Sequence, residues 1–220
     1  MKLFIDTADR TVISRWAKTG ILDGVTTNPS HLSKQGGNMR EVLKDICQML
    51  PDGDISIEVV EKEPQAVYEQ ALEIAEFAEN AVVKIPFAEE YLPIINRLTT
   101  QGIPLNITLV FTPLQGLMVA KLGVNYISPF MGRLEEIGVS STTVIQDFVS
   151  MIENYEFDTE ILAASIRTLS HWHEAMLAGA DVATLPPALF EQAVKHPLTE
   201  KGIKIFDEDW KKLGKKSLFD

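Results

Sequence analysis

Short runs of β-branched and aliphatic residues alternate with stretches of helical period along the whole chain, and eight such pairs can be counted in 220 residues. This order is the pattern of a parallel sheet with helices packed outside it. The predicted strands cover 3–6, 24–28, 55–60, 81–85, 104–110, 126–130, 161–165 and 181–185. Two topologies accept eight alternating units, a closed (β/α)8 barrel and an open doubly wound sheet. Polar residues near the strand ends separate them. Asp6, Asn28, Glu58, Lys84, Asn106, Ser128, Ser165 and Thr184 recur about every 25 residues. A barrel gathers all eight at one mouth, whereas an open sheet strings them along an edge and concentrates function at a switch point. No G-x-G-x-x-G follows the first strand, which weakens a dinucleotide reading. The pattern therefore predicts an α/β fold, a single-domain (β/α)8 TIM barrel, compact against the ~250 residues usual for that architecture.

Helix signals agree with this division. Val12, Ile13, Trp16 and Ala17 share a face of a helix predicted near 9–19, with Gly20 placed as its C′ residue. Pro64, Pro113 and Pro187 each stand where a helix begins. Links are short and turn-rich, as in Gly36-Gly37-Asn38 and Pro51-Asp52-Gly53-Asp54, and none reads as a linker between domains. One helix is left over after the eighth unit, from Thr199 to about Lys216, with Ile203, Phe206, Trp210 and Leu213 at helical spacing. Residues 1–198 thus form the barrel and 199–220 a C-terminal helical extension. Its apolar stripe packs either on its own barrel or on a neighbouring subunit, since left bare it would be a large exposed patch.

A formal charge of −11 argues against nucleic acid or an anionic membrane as partner, so any anion site must be a local concentration of positive charge. Cys47 is the single cysteine, which rules out an intrachain disulfide and a thiolate metal cluster, and fits a reducing cytoplasm. Charged residues punctuate positions 1–20, leaving no signal-peptide core, and no apolar run approaches the ~18 residues of a membrane span.

Two charged residues stand inside strands otherwise fit for burial. Lys84 interrupts Ala81-Val82-Val83-Lys84-Ile85-Pro86. Burial disfavours an ammonium and favours a neutral amine, the form that attacks a carbonyl to make a Schiff base; a structural lysine reaching solvent or pairing with a carboxylate is the alternative. Glu58, in Ile55-Ser56-Ile57-Glu58-Val59-Val60, must find a hydrogen bond, a cation or a catalytic duty, and an ion pair with Lys84 is one outcome. On its own residues Asp6, at the end of the first strand, reads first as an N-cap for the following helix. Arg133 and Arg167 follow adjacent strand ends, where two guanidiniums and the Ser165 hydroxyl suit a dianion; surface salt bridging is the alternative.

Taken together, Phe4-Ile5-Asp6-Thr7-Ala8, Gly24-Val25-Thr26-Thr27-Asn28-Pro29-Ser30, Val83-Lys84-Ile85-Pro86, Asn106-Ile107-Thr108, Ser128-Pro129-Phe130-Met131-Gly132-Arg133 and Ala164-Ser165-Ile166-Arg167 resemble the motifs of the transaldolases. The likeness is to the short bacterial branch that includes fructose-6-phosphate aldolase, and it runs from about residue 3 to residue 210. The resemblance implies a cofactor-free, metal-free class I aldol mechanism on sugar phosphates, with Lys84 forming the imine. It assigns proton transfer at the C4 hydroxyl to Asp6, and proton shuttling through an ordered water to Glu58 and Thr108. It makes Asn28, Asn106 and Ser128 hydrogen-bonding contacts to the lysine-bound triose, with Thr26 and Phe130 beside them, and Arg133, Ser165 and Arg167 the phosphate site. It also implies a homo-oligomer, a pentamer or decamer, in which the C-terminal helix lies across a neighbour.

Within this branch the aldolases carry glutamine, tyrosine and usually lysine where this chain has Glu58, Phe130 and Arg167, so all three positions favour transaldolase over fructose-6-phosphate aldolase. A catalytically silent phosphosugar-binding protein is the alternative from another class. Two departures stand out. His31 occupies a position where the family normally has leucine, and Gly138-Val139-Ser140-Ser141-Thr142 replaces an aspartate- and glycine-rich segment. His171 and His173, two apart in a helix, do not share a face and make no metal pair. Lys211, Lys212, Lys215 and Lys216 read as a solvated tail.

Overall fold

The computed structural model describes residues 1–215 and 217–219. Among these, eight parallel strands close into a barrel in chain order: β1 (Lys2–Asp6), β2 (Gly24–Thr26), β3 (Asp54–Glu58), β4 (Ala81–Pro86), β5 (Leu105–Val110), β6 (Tyr126–Pro129), β7 (Glu160–Ala163) and β8 (Val182–Leu185), with β8 pairing back onto β1. Around them run α1 (Arg10–Ala17), α2 (Pro29–Leu32), α3 (Met39–Met49), α4 (Pro64–Phe77), α5 (Leu92–Thr100), α6 (Pro113–Ala120), α7 (Met131–Glu136), α8 (Ser141–Tyr155), α9 (Leu169–Leu177), α10 (Pro187–Ala193) and α11 (Pro197–Leu213). Pro64, Pro113 and Pro187 each take the first helical position, where the missing N–H costs no hydrogen bond.

Strand alternation builds two cores. Odd-numbered strand residues such as Ile5, Val25, Ile57, Val83, Ile107 and Ile127 pack under the helices, while even-numbered Phe4, Val82, Tyr126, Leu162 and Val182 fill the barrel's interior. Gly24 makes room for Phe4, since a Cβ there would come within 2.6 Å of the Phe4 ring and 2.5 Å of the Asp54 carbonyl. Below that layer the Tyr126 hydroxyl donates to Asp54, and Lys2 Nζ pairs with Glu160 at 2.7 Å, 5.8 Å from the centre of the Tyr126 ring.

Several boundaries differ from the sequence expectation. Strand β2 stops at Thr26 and β7 at Ala163, so Asn28 and Ser165 lie beyond their strands. Asn28 is drawn off as the N-cap of α2, and Ser165 turns the chain with φ +56°. The cap of α1 is Asp9, accepting from Thr11 N at 2.9 Å, which removes the N-cap reading of Asp6. That helix ends at Ala17 with Lys18 as its cap, placing left-handed Gly20 two residues past the cap. Helix α11 starts at Pro197 rather than Thr199 and stops at Leu213, because Gly214 caps it at φ +64°. Lys216 lies outside the described residues. Among the described residues no helix is long and apolar enough to cross a membrane.

Burial and the hydrogen bond to Asp54 hold the Tyr126 phenol well above its ordinary range. An unfolded chain ionises that phenol near pH ~10, so the neutral native form contributes its full stability below that pH and less as the pH rises past it. Urea midpoints of Tyr126→Phe should be lower at neutral pH, because Asp54 loses its donor, and should decline less steeply above about pH 10 than those of the parent.

Candidate active site at the C-terminal mouth

Above the apolar layer, inward-facing residues near the C-terminal ends of every strand but β7 are polar, and a cavity of about 210 Å³ opens there, with Leu162 lining it from β7. Asp6, Thr26, Lys84, Thr108, Ser128 and Thr184 come from six strands; Asn28, Phe130, Arg133, Ser165 and Arg167 reach it from the loops and helix above. Every residue to which the resemblance gives a site role lines this cavity except Glu58 and Asn106, and each of those touches one that does. This end of a (β/α)8 barrel is where the chemistry of such folds resides.

Lys84 is 6% exposed. It stands opposite Glu58 in the β3–β4 register, and Nζ lies 2.9 Å from Glu58 Oε2 while donating to the Thr27 carbonyl at 3.1 Å. The ion pair weighed from sequence therefore forms. Since an ammonium carries three N–H groups, these contacts leave one for the cavity. The Thr108 hydroxyl, also buried, lines the same space without a hydrogen-bond partner among the described residues. Its strand shifts register between Ile107 and Val110, and Leu109 adopts φ +57°. A leucine in that region is strained by ~1–2 kcal/mol, and the bulge turns the end of β5 at the cavity wall.

Asp6 is oriented by a hydroxyl chain. Thr26 Oγ1 donates to Asp6 Oδ1 at 2.9 Å and, its one proton spent, accepts from Thr184 Oγ1 at 2.6 Å. Asn28 serves twice, its Oδ1 capping α2 through the His31 N–H at 2.9 Å while the residue lines the cavity. Asn106 is fully buried, donating to Ser56 Oγ at 3.0 Å and accepting from Ser128 at 2.6 Å; it holds Ser128 in place from behind.

The far end of the cavity is basic. The Arg133 guanidinium lies 5.1 Å from the centre of the Phe130 ring, and Arg167 pairs with Glu136 of α7. Gly132 lets these segments meet, since a Cβ would come within 2.4 Å of the Ser165 carbonyl and 2.7 Å of Arg167 Nε. Thr184, Ser56, the Thr27 carbonyl and Glu136 are site components that the sequence reading did not assign. Thr184 was visible as a strand-end polar residue; the others carry no local signal, being one buried hydroxyl, one backbone group and one helix-surface carboxylate.

One cavity at the barrel mouth thus holds a lysine paired with glutamate, a hydroxyl-bonded aspartate and two arginines. Residues 3–217 match the transaldolase/fructose-6-phosphate aldolase family, and the chain belongs to that family. It is 46% identical over 216 residues to probable transaldolase 2 of Listeria monocytogenes, covering 98% of this chain and 99% of that protein. Similarity to the probable transaldolase of Phenylobacterium zucineum is 46% over 218 residues, covering 99% and 100%; to that of Clostridium tetani it is 43% over 215, covering 98% and 100%. The protein is an enzyme of transaldolase type.

Ser128→Ala would strand the buried Asn106 Oδ1. It should cost ~1–3 kcal/mol of stability, read as a shift in the urea midpoint at constant slope.

Proposed function

We propose that Lys84 is the Schiff-base lysine of a transaldolase that moves a dihydroxyacetone unit from sedoheptulose 7-phosphate to glyceraldehyde 3-phosphate, in the non-oxidative pentose phosphate pathway. The observation that carries this reading is the Glu58–Lys84 contact of 2.9 Å inside the cavity wall, because it gives the ammonium an acceptor for the proton it must lose. The freed amine attacks C2 of the ketose, and loss of water yields an iminium. Asp6 takes the C4 hydroxyl proton; the C4–O pair becomes the aldehyde carbonyl, and the C3–C4 pair flows into the iminium to give an enamine. Erythrose 4-phosphate leaves. The enamine then attacks the aldehyde of glyceraldehyde 3-phosphate, Asp6 returns its proton to the new alkoxide, and hydrolysis releases fructose 6-phosphate. The Thr108 hydroxyl and Glu58 hold the water of imine formation and hydrolysis. Thr26, Asn28, Ser128 and Phe130 surround the triose, with Asn106 acting through Ser128. Arg133, Ser165 and Arg167 take the phosphate, which displaces Glu136 from Arg167.

A coupled assay with fructose 6-phosphate, following glyceraldehyde 3-phosphate, should show product only when erythrose 4-phosphate is present. Acceptor-independent cleavage would instead make the protein an aldolase. Glu58→Gln combined with Phe130→Tyr should move the enzyme toward that behaviour, raising free dihydroxyacetone formation.

We also propose that the protein is a cytoplasmic homo-oligomer, pentamer or decamer, in which the 199–220 extension docks on a neighbour. In support, α11 buries none of its residues in its own chain and exposes Leu198, Ile203, Ile205, Phe206 and Leu213. Light scattering should give a multimeric mass that falls when the chain is truncated before Thr199; an intact chain of monomeric mass would remove the idea.

A further inference from the structure

His31 lies between two groups of the site, Asp6 and Asn28. Its Nδ1 is 3.4 Å from Asp6 Oδ1 and 3.3 Å from Asn28 Nδ2. These neighbours make opposite demands on one atom. The carboxylate oxygen accepts only and needs an N–H at Nδ1, whereas the Asn28 amide nitrogen donates only and needs the lone pair there. The amide cannot be turned round to remove the conflict, because Asn28 Oδ1 is already committed to the His31 backbone N–H at 2.9 Å. The side chains of His31 and Asp6 are 23% and 26% exposed, so water reaches the pair and protons exchange with it.

We infer that His31 is a positioning residue that tunes Asp6, its protonation state selecting which neighbour Nδ1 serves. The inference rests on the proposed role of Asp6 in accepting the C4 hydroxyl proton. When charged, His31 donates Nδ1–H to Asp6 Oδ1, adding to the Thr26 hydrogen bond at 2.9 Å on the same oxygen and making the carboxylate a weaker base. When neutral with its proton on Nε2, His31 accepts from Asn28 and leaves Asp6 to Thr26 alone. No atom moves beyond the proton that His31 exchanges with solvent. The two protonation states of the imidazole therefore leave Asp6 with different basicity, and proton abstraction from the C4 hydroxyl is faster when His31 is neutral.

His31 faces the charged Asp6 of β1, and the cavity that Asp6 lines also holds Lys84 of β4 with its partner Glu58 of β3, Arg133 of α7 and Arg167 beyond β7. Asn28 and Thr26 face the Asp6–His31 pair without charge. Titration of the other groups and of the substrate phosphate is common to the parent and to a His31 variant, so it cancels when rates are compared pH by pH.

The test measures kcat for transfer from fructose 6-phosphate to erythrose 4-phosphate between pH 5.5 and 8.5 for the full-length parent, His31→Leu and His31→Asn. Borohydride trapping of the Lys84 adduct with fructose 6-phosphate is run on the same samples. The ratio of His31→Leu to parent kcat should rise about tenfold from the alkaline to the acid end, a part of the ~10²–10⁴ that a positioned acid or base contributes. His31→Asn, whose amide does not titrate, should likewise lose the parent's inflection. Ratios constant with pH in both variants, with trapping intact, would overturn the inference. Failure to trap an adduct in the parent would instead overturn the Schiff-base reading on which it rests.

Discussion

A closed ring of strands imposes a rule that no local segment can escape, since every second residue must point into a space with a fixed and small volume. Here the even-numbered strand positions carry that burden. Phe4, Val82, Tyr126, Leu162 and Val182 fill the middle, and Gly24 gives up its side chain so that Phe4 fits. The polar mouth follows from the same parity. Moving two residues toward the C-terminus from Phe4, Val82 or Val182 reaches Asp6, Lys84 or Thr184, still facing inward but now at the rim. A one-residue slip of β4 would exchange Lys84 for Ile85 and abolish both core and site together.

That parity explains how a buried ammonium is tolerated. Removing an ion pair from water costs several kcal/mol per ion, recovered only when geometry and additional hydrogen bonds are good. Lys84 has Glu58 from the adjacent strand in register, so its charge partner is set by the sheet itself, and the Thr27 carbonyl from the loop after β2 adds a hydrogen bond. Of the three non-glycine residues in the left-handed region among the described residues, Leu109 and Ser165 adjoin the cavity while Glu156 caps α8; strain beside a site is common where backbone geometry serves it.

Much of this was legible in the chain because barrel strands advertise themselves twice, through aliphatic runs and through the polar residue that ends each run. Asp6, Lys84, Ser128 and Thr184 could be placed that way, whereas Thr108 comes from the resemblance, the strand-end pattern pointing to Asn106 in β5. Asn28 and Ser165 were assigned to strand ends but lie past them, because capping of α2 and a left-handed turn compete with strand pairing for the same residues. Asn106 read as a substrate contact, whereas Ser56 and Ser128 enclose it; inward direction alone does not reveal depth. Nor does sequence spacing reveal that Glu136 reaches Arg167 or that His31 reaches Asp6, since both contacts join segments whose approach is decided by how loops fold over the rim.

The pairing of β8 with β1 has a kinetic meaning as well. Lys2 meets Val182 and Ile5 meets Leu185, so the first strand made is completed by the last. Such long-range pairing is slow to form because loop-closure entropy is lost before any contact compensates it. During synthesis at ~5–20 residues per second, β1 waits roughly 10–40 s for its second neighbour, with its outer row of N–H and C=O groups open to another strand. Lys2 at its start and Asp6 at its end place charge at both tips of that edge, a deterrent to mispairing that acts before the enzyme exists as a folded object.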